Sequence, residues 1–158
     1  MTAATELIVL IAEDDDGHAM LIQEQLEDAG IHNPIQRFRD GAEAWSFLSG
    51  EGGATGTSVR DPGRSYLLLL DIRMPRMDGV EVLRRVKATP ELRPMPVIML
   101  TTTDDPREVA ECYALGCNSY VTKPVSFEGF SEVIKRLGLF ISVIAVAPLQ
   151  ASIHGTAA

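Results

Sequence analysis

The amino-acid sequence predicts an α/β fold: a doubly wound, five-stranded parallel sheet covered by helices. Three short, nearly unbroken apolar runs, Leu7 to Ile11, Tyr66 to Leu70 and Val97 to Leu100, have the length and pattern of strands buried on both faces. Segments with helical spacing lie between them, so strand and helix alternate five times along the chain. At 158 residues, 46% hydrophobic and 23% charged, the chain suits one domain with at most an appendage. Folding at that size buries roughly 70% of the unfolded surface, so the core needs no metal or disulfide staple.

The first run is followed by Glu13-Asp14-Asp15-Asp16, with Asp15 or Asp16 as the expected cap of a helix over His18 to Ala29. Leu21, Ile22, Gln25, Leu26 and Ala29 form its stripe, and Gly30 is its stop. Ile35 to Phe38 is a weaker strand. A helix over Ala42 to Leu48 follows, with Trp45, Phe47 and Leu48 on its buried side. Ser49 to Ser65 is rich in Gly and Ser and reads as a long mobile surface loop. After the Tyr66 strand, Asp78 is a natural N-cap for a helix over Gly79 to Ala88 that aligns Val82, Leu83 and Val86. Asp105-Pro106-Arg107-Glu108 combines a cap acid, proline at the first helical position and a capping-box glutamate, opening a helix that ends at Gly116. Ser119 to Thr122 is a short strand. A fifth helix, capped by Ser126, carries Phe130, Val133, Ile134 and Leu137. Residues 1–138 thus form the domain. Residues 139–158 form an extension: an apolar arm to Ala147, whose β-branched content argues against a helix, and then a flexible tail.

Composition excludes several classes. A net charge of −8 lacks the electrostatic footprint of a stand-alone nucleic-acid binder. The longest apolar stretch, Leu137 to Leu149, is broken by Pro148 and falls short of the ~20 residues of a bilayer span. No basic n-region precedes the first apolar run, which implies a cytoplasmic protein with reduced thiols. Cys112 and Cys117 are spaced C-x4-C without a neighbouring His, so a metal or redox role is disfavoured. His18, His32 and His154 are scattered, and none reads as a phosphodonor.

Ligands of open α/β sheets bind beyond the carboxyl ends of the strands. There the sequence collects Glu13 and Asp14 after the first strand, Asp71 after the third, Thr101 after the fourth and Lys123 before Pro124 after the fifth. Each has an ordinary explanation on its own, as a cap, a turn or a surface charge. As a set on four strand ends they point to phosphoryl chemistry. Three crowded carboxylates need a cation to ionise together, and all-oxygen ligands suit Mg2+. Asp71 is then the nucleophile that forms an acyl phosphate, with Lys123 and Thr101 serving the phosphoryl oxygens.

The motifs Glu13-Asp14, Leu70-Asp71-Ile72-Arg73-Met74-Pro75-Arg76-Met77-Asp78-Gly79, Leu100-Thr101-Thr102 and Tyr120-Val121-Thr122-Lys123-Pro124 resemble the receiver domain of two-component response regulators. The resemblance covers about Leu7 to Leu137. It implies a flavodoxin-like sheet of order 2-1-3-4-5. It also implies Asp71 as phosphoacceptor, and a Mg2+ site of Glu13, Asp14, Asp71 and the main-chain carbonyl of Arg73. Thr101 and Lys123 are then the phosphoryl-sensing hydroxyl and amine, Tyr120 is an aromatic switch, and the Lys123–Pro124 bond is expected cis. The implied partner is a sensor histidine kinase, with no nucleic acid and no membrane.

Two features depart from the family pattern. Arg73 replaces a smaller residue and, with Thr103, faces the path of hydrolytic water, so its side chain is expected to reach the phosphoryl group. The arm replaces an output domain. Together with the long loop and the Leu-Thr-Thr sequence, it resembles the regulators paired with bacterial phytochrome kinases. The same features lead to an expected homodimer, through exchange of the arm or through the face of the fourth helix, fifth strand and fifth helix. Two other readings stand beside the signalling switch. One is an aspartyl-phosphate phosphatase of the haloacid-dehalogenase type, which needs an Asp where Arg73 stands; the other is a structural adaptor that is never phosphorylated.

Overall fold

The computed structural model describes residues 6–56 and 58–151; His154 and the end of the expected tail lie outside them. The elements, in chain order, are β1 Leu7–Ala12, α1 Asp16–Asp28, β2 Ile35–Phe38, α2 Gly41–Ser49, a 3-10 turn Glu51–Thr55, β3 Ser65–Leu70, α3 Gly79–Ala88, β4 Val97–Thr101, α4 Pro106–Leu115, β5 Ser119–Thr122 and α5 Phe127–Val143. The five strands are parallel in the order β2-β1-β3-β4-β5.

Successive side chains of a strand point to opposite faces, and here both faces are covered. Leu68 and Leu70 enter a core shared with Phe47 of α2, Val82 and Val86 of α3 and Cys112 of α4. Leu67 and Leu69 enter the other, with Ile22 and Leu26 of α1 and Ile134 and Leu137 of α5. This two-sided burial is why the leucine run shows no polar alternation.

Two expectations fail on local packing. The described residues of the Ser49–Ser65 segment are tied down rather than forming a mobile loop. Its 3-10 turn follows α2, and Arg60 is buried, its N–H and Nε–H donating to the carbonyls of Phe47 (3.1 Å) and Leu48 (3.0 Å) at the end of α2. Tyr66 Oη accepts the Asp61 N–H at 2.8 Å.

The arm is the second correction. It does not begin as a strand at Leu139, because α5 runs on to Val143. Phe130, Ile134, Leu137, Gly138 and Ile141 are buried at helical spacing, and Gly138 is so close to α1 that an added Cβ would lie 2.7 Å from Cβ of Ala29. Burial of one continuous stripe outweighs the modest helix penalty of β-branched residues. Beyond the helix the chain returns along its own β3 end. Ser65 Oγ donates to the Val146 carbonyl (2.8 Å), Gly63 N–H to the Leu149 carbonyl (2.9 Å), and Leu149 N–H to the Arg64 carbonyl (2.9 Å). Leu149 is 2% exposed in the Phe47–Tyr66 core. The arm's own chain thus buries Ile141 and Leu149, while Leu139, Phe140 and Val143 stay exposed.

Leu149→Ala is expected to lower the unfolding free energy by about 2 kcal/mol, the low end for a buried leucine because a terminal segment relaxes easily. Urea denaturation checks it; a loss near zero would show that the returning segment contributes nothing.

Candidate functional site

The strand register assembles the site. Ala12 and Leu70 are paired and Asp71 N–H donates to the Ala12 carbonyl at 3.0 Å, so Glu13 and Asp71 leave adjacent strands side by side. Thr101 and Thr122 are paired and Lys123 N–H donates to the Thr101 carbonyl at 2.7 Å, which brings Lys123 to the same rim. The turn after β3 permits no bulk at Gly79: its N–H donates to the Ile72 carbonyl at 2.8 Å, and a Cβ there would fall 2.0 Å from the Asp71 carbonyl oxygen. Arg76, in the left-handed region at φ 67°, pairs through two N–H groups with Asp40, which also caps α2. Burial works to raise the Asp40 carboxyl, but the Arg76 guanidinium and the Glu43 N–H more than offset it and hold it below the usual range.

Carboxylate oxygens of Glu13, Asp14 and Asp71 lie within 4.8 Å of one another. At such a separation two carboxylates repel by roughly 3 to 4 kcal/mol for an effective dielectric near 20. Glu13 and Asp71 are buried and Asp14 is exposed. Lys123, 4% exposed, contacts Glu13 Oε1 directly, and its Nζ is 3.6 Å from Asp71 Oδ2. Three carboxylates and one ammonium sum to −2, the charge one divalent cation cancels. The donor set, all oxygen and open on the Asp14 side, fits Mg2+. Burial pushes Glu13 up to about 7; contact with Lys123 works against this and neighbouring Asp71 adds to it. Asp71 Oδ1 accepts the Ile72 N–H at 2.8 Å. Thr101 is fully buried, and its hydroxyl has no hydrogen-bond partner. That is a costly state for a donor unless a ligand oxygen completes it.

The structure thus brings together Glu13, Asp14, Asp71 and Lys123, with Thr101 on the same rim. Arg73 is placed differently from the expectation for its side chain. It is exposed and donates to Glu108 Oε2 at 3.1 Å, the oxygen that also accepts the Thr103 hydroxyl at 2.8 Å. Glu108 is therefore not a capping-box residue; the Asp105 N–H turns to Thr103 Oγ1 at 3.4 Å instead. Half-buried Tyr120 donates from Oη to the Thr103 carbonyl at 2.7 Å, and burial pushes its phenol up to about 12. The Lys123–Pro124 bond is trans, contrary to expectation: no cis peptide occurs among the described residues. The trans form is also the ordinary preference for X–Pro.

Two participants escaped the sequence reading. Arg37 of β2 donates through Nε (3.0 Å) and Nη2 (2.8 Å) to the Glu13 carbonyl and through Nη1 to Asp16 (2.6 Å), fixing the acidic loop. An arginine inside an apolar strand was its only signal. His18 places Nδ1 3.2 Å from Lys123 Nζ; its place on the first turn of α1, just after the acidic pair, was the available hint.

The family profile for the response regulator receiver domain matches residues 9–135. The chain belongs to that family, whose members are signalling domains of phosphorelays. It is 43% identical to a response regulator receiver domain from Rhodospirillum rubrum whose crystal structure superposes with a TM-score of 0.83, covering 91% of this chain and 99% of that one. It is 32% identical over 133 residues to the response regulator Rcp1 of Synechocystis, 84% of this chain and 87% of that protein. The Mn(2+)-bound form of Rcp1 aligns with a TM-score of 0.78 over 89% of this chain and 98% of that one, at 30% identity. The phosphorylated cyanobacterial phytochrome response regulator RcpA aligns at 32% identity with a TM-score of 0.77, over 92% and 99%. Among the described residues no helix is long and apolar enough to cross a membrane.

Divalent binding must displace the proton that Glu13 holds below about pH 7. Mg2+ affinity is therefore expected to rise between about pH 6 and 8 and then level off. Calorimetric titration across that range, repeated with Glu13→Gln, checks it; the variant should bind more weakly and lose the step. A profile in the wild type as flat as in the variant would refute the assignment.

Proposed function

We propose that the protein is a phosphorylation-dependent switch in which Asp71 takes a phosphoryl group from the phosphohistidine of a sensor histidine kinase. The observation that carries the reading is the cluster of three carboxylates within 4.8 Å, closed on one side by a buried ammonium. A carboxylate oxygen of Asp71 attacks phosphorus as the P–N bond of the donor breaks, and the imidazole leaves with the electron pair and takes a proton. Lys123 moves from Glu13 to the phosphoryl oxygens, and the Thr101 hydroxyl donates to one of them. Mg2+ held by Glu13, Asp14, Asp71 and the Arg73 carbonyl supplies charge neutralisation to this transfer. Water later breaks the new P–O bond and releases phosphate.

Likeness to Rcp1 and to the phytochrome regulator RcpA supports a kinase of the phytochrome type as donor. The face for a downstream partner or a second copy is α4–β5–α5, where Tyr113, Val125 and Phe127 are exposed. The Tyr120–Thr103 bond links that face to the loop after Thr101. The phosphatase reading is weaker: the position for its general acid is Arg73, whose guanidinium keeps its proton at neutral pH and so cannot pass one to a leaving group.

Incubation with Mg2+ and acetyl phosphate should give one acid-stable, base-labile phosphoryl adduct on Asp71, absent in Asp71→Asn, by mass spectrometry. Sedimentation of the same samples reads self-association. An unmodified Asp71, or rapid turnover of small phosphate esters, would overturn the proposal.

Arg73, held on Glu108 at the mouth, shields the phosphoryl group from water. Arg73→Asn is expected to shorten the life of the adduct roughly twofold to fivefold, the scale of one exposed ion pair. Pulse–chase decay measures this, and an unchanged lifetime would refute the role.

A further inference from the structure

His18 is the part of the acidic mouth to which phosphoryl transfer gives no role. Its N–H donates to the cap carboxylate of Asp15 (2.9 Å), and its ring, partly open to solvent, lies tilted by 30° against Phe130 with centroids 5.9 Å apart. Ring and backbone are thus both held, and Nδ1 is aimed inward, 3.2 Å from Lys123 Nζ and 3.7 Å from Glu13 Oε1.

An ammonium has three protons to give and accepts none. A proton on Nδ1 would set two donors head-on at 3.2 Å and leave only a 3.7 Å contact with Glu13, too long for a hydrogen bond. A proton on Nε2 removes the conflict and makes Nδ1 the acceptor. The Lys123 side chain is 2% exposed, so water cannot serve its protons freely and each needs a fixed partner. Glu13 takes one, His18 Nδ1 another, and the third faces Asp71 at 3.6 Å.

We infer that His18 is a positioning residue for Lys123. It is an imidazole protonated on Nε2 whose Nδ1 keeps hold of the ammonium while another proton of Lys123 passes from Glu13 to the phosphoryl group on Asp71. The inference rests on the phosphoacceptor reading of Asp71. Glu13 is a metal ligand in that reading and must release Lys123 when it turns to the cation; His18 carries no such second duty and stays. The ammonium therefore enters transfer with one bond already fixed, which lowers the reorganisation the step requires.

The test compares His18→Leu, which removes the acceptor, with His18→Asn, whose Oδ1 can occupy the place of Nδ1. With acetyl phosphate and Mg2+, His18→Leu should slow labelling of Asp71 about fivefold to tenfold, the scale of one typical net hydrogen bond. His18→Asn should return it to within about twofold of the wild type. Mg2+ affinity should be the same in all three proteins. A wild-type rate in His18→Leu overturns the inference, and so does a rate in His18→Asn as slow as in His18→Leu, since the acceptor would then be irrelevant. Nitrogen-15 NMR of the unphosphorylated protein reads the tautomer independently of transfer. A pyridine-type Nδ1 with a protonated Nε2 supports the bond to Lys123, and a protonated Nδ1 rules it out. If the wild type takes no label, the phosphoacceptor reading falls, and the tautomer alone decides whether His18 holds Lys123.

Discussion

Much of the molecule follows from placing one buried ammonium among three carboxylates. Lys123 can reach Glu13 and Asp71 only if β5 lies two strands from β3 and three from β1, ends level with them, and is tied to β4 by the Lys123–Thr101 bond. The parallel order β2-β1-β3-β4-β5 meets that requirement, and the apolar strands make it rigid. The electrostatic tension at the strand ends is carried by a core that is close-packed below it. Without Lys123 the mouth would hold three like charges in a site where burial already disfavours ionising Glu13.

The helix side of the mouth is held by a second set of contacts. Glu108 gathers Arg73 from the turn after β3 and Thr103 from the turn after β4, and the Thr103 carbonyl accepts from Tyr120. These contacts tie the turns after β3 and β4 to α4, the helix on which Tyr113 is exposed.

The strands and the cluster at their ends were legible because each rests on a local rule. The leucine run of β3 announces two-sided burial, and even the short strands at Ile35 and Ser119 stand where the alternation demands them. Glu13, Asp14, Asp71 and Lys123 were legible because acids and an amine at strand ends have few structural uses. What escaped depends on partners distant in sequence. The length of α5 is set by α1, and the order of the Ser49–Ser65 segment by Arg60 reaching back to the end of α2. Glu108 obeys a local capping pattern and is drawn from it by Arg73, 35 residues away. His18 and Arg37 touch the site through contacts spanning 105 and 24 residues, which no pattern along the chain encodes.

The segment that ends at Leu149 and the one that begins after α2 meet at the pole of the sheet opposite the acidic mouth, each completing the other's hydrogen bonds. They behave as a matched pair, although about eighty residues separate them. A chimera that borrowed either piece from a relative without its counterpart would leave an uncapped backbone and an empty socket at that pole. In an evolving lineage the two segments should therefore change length together.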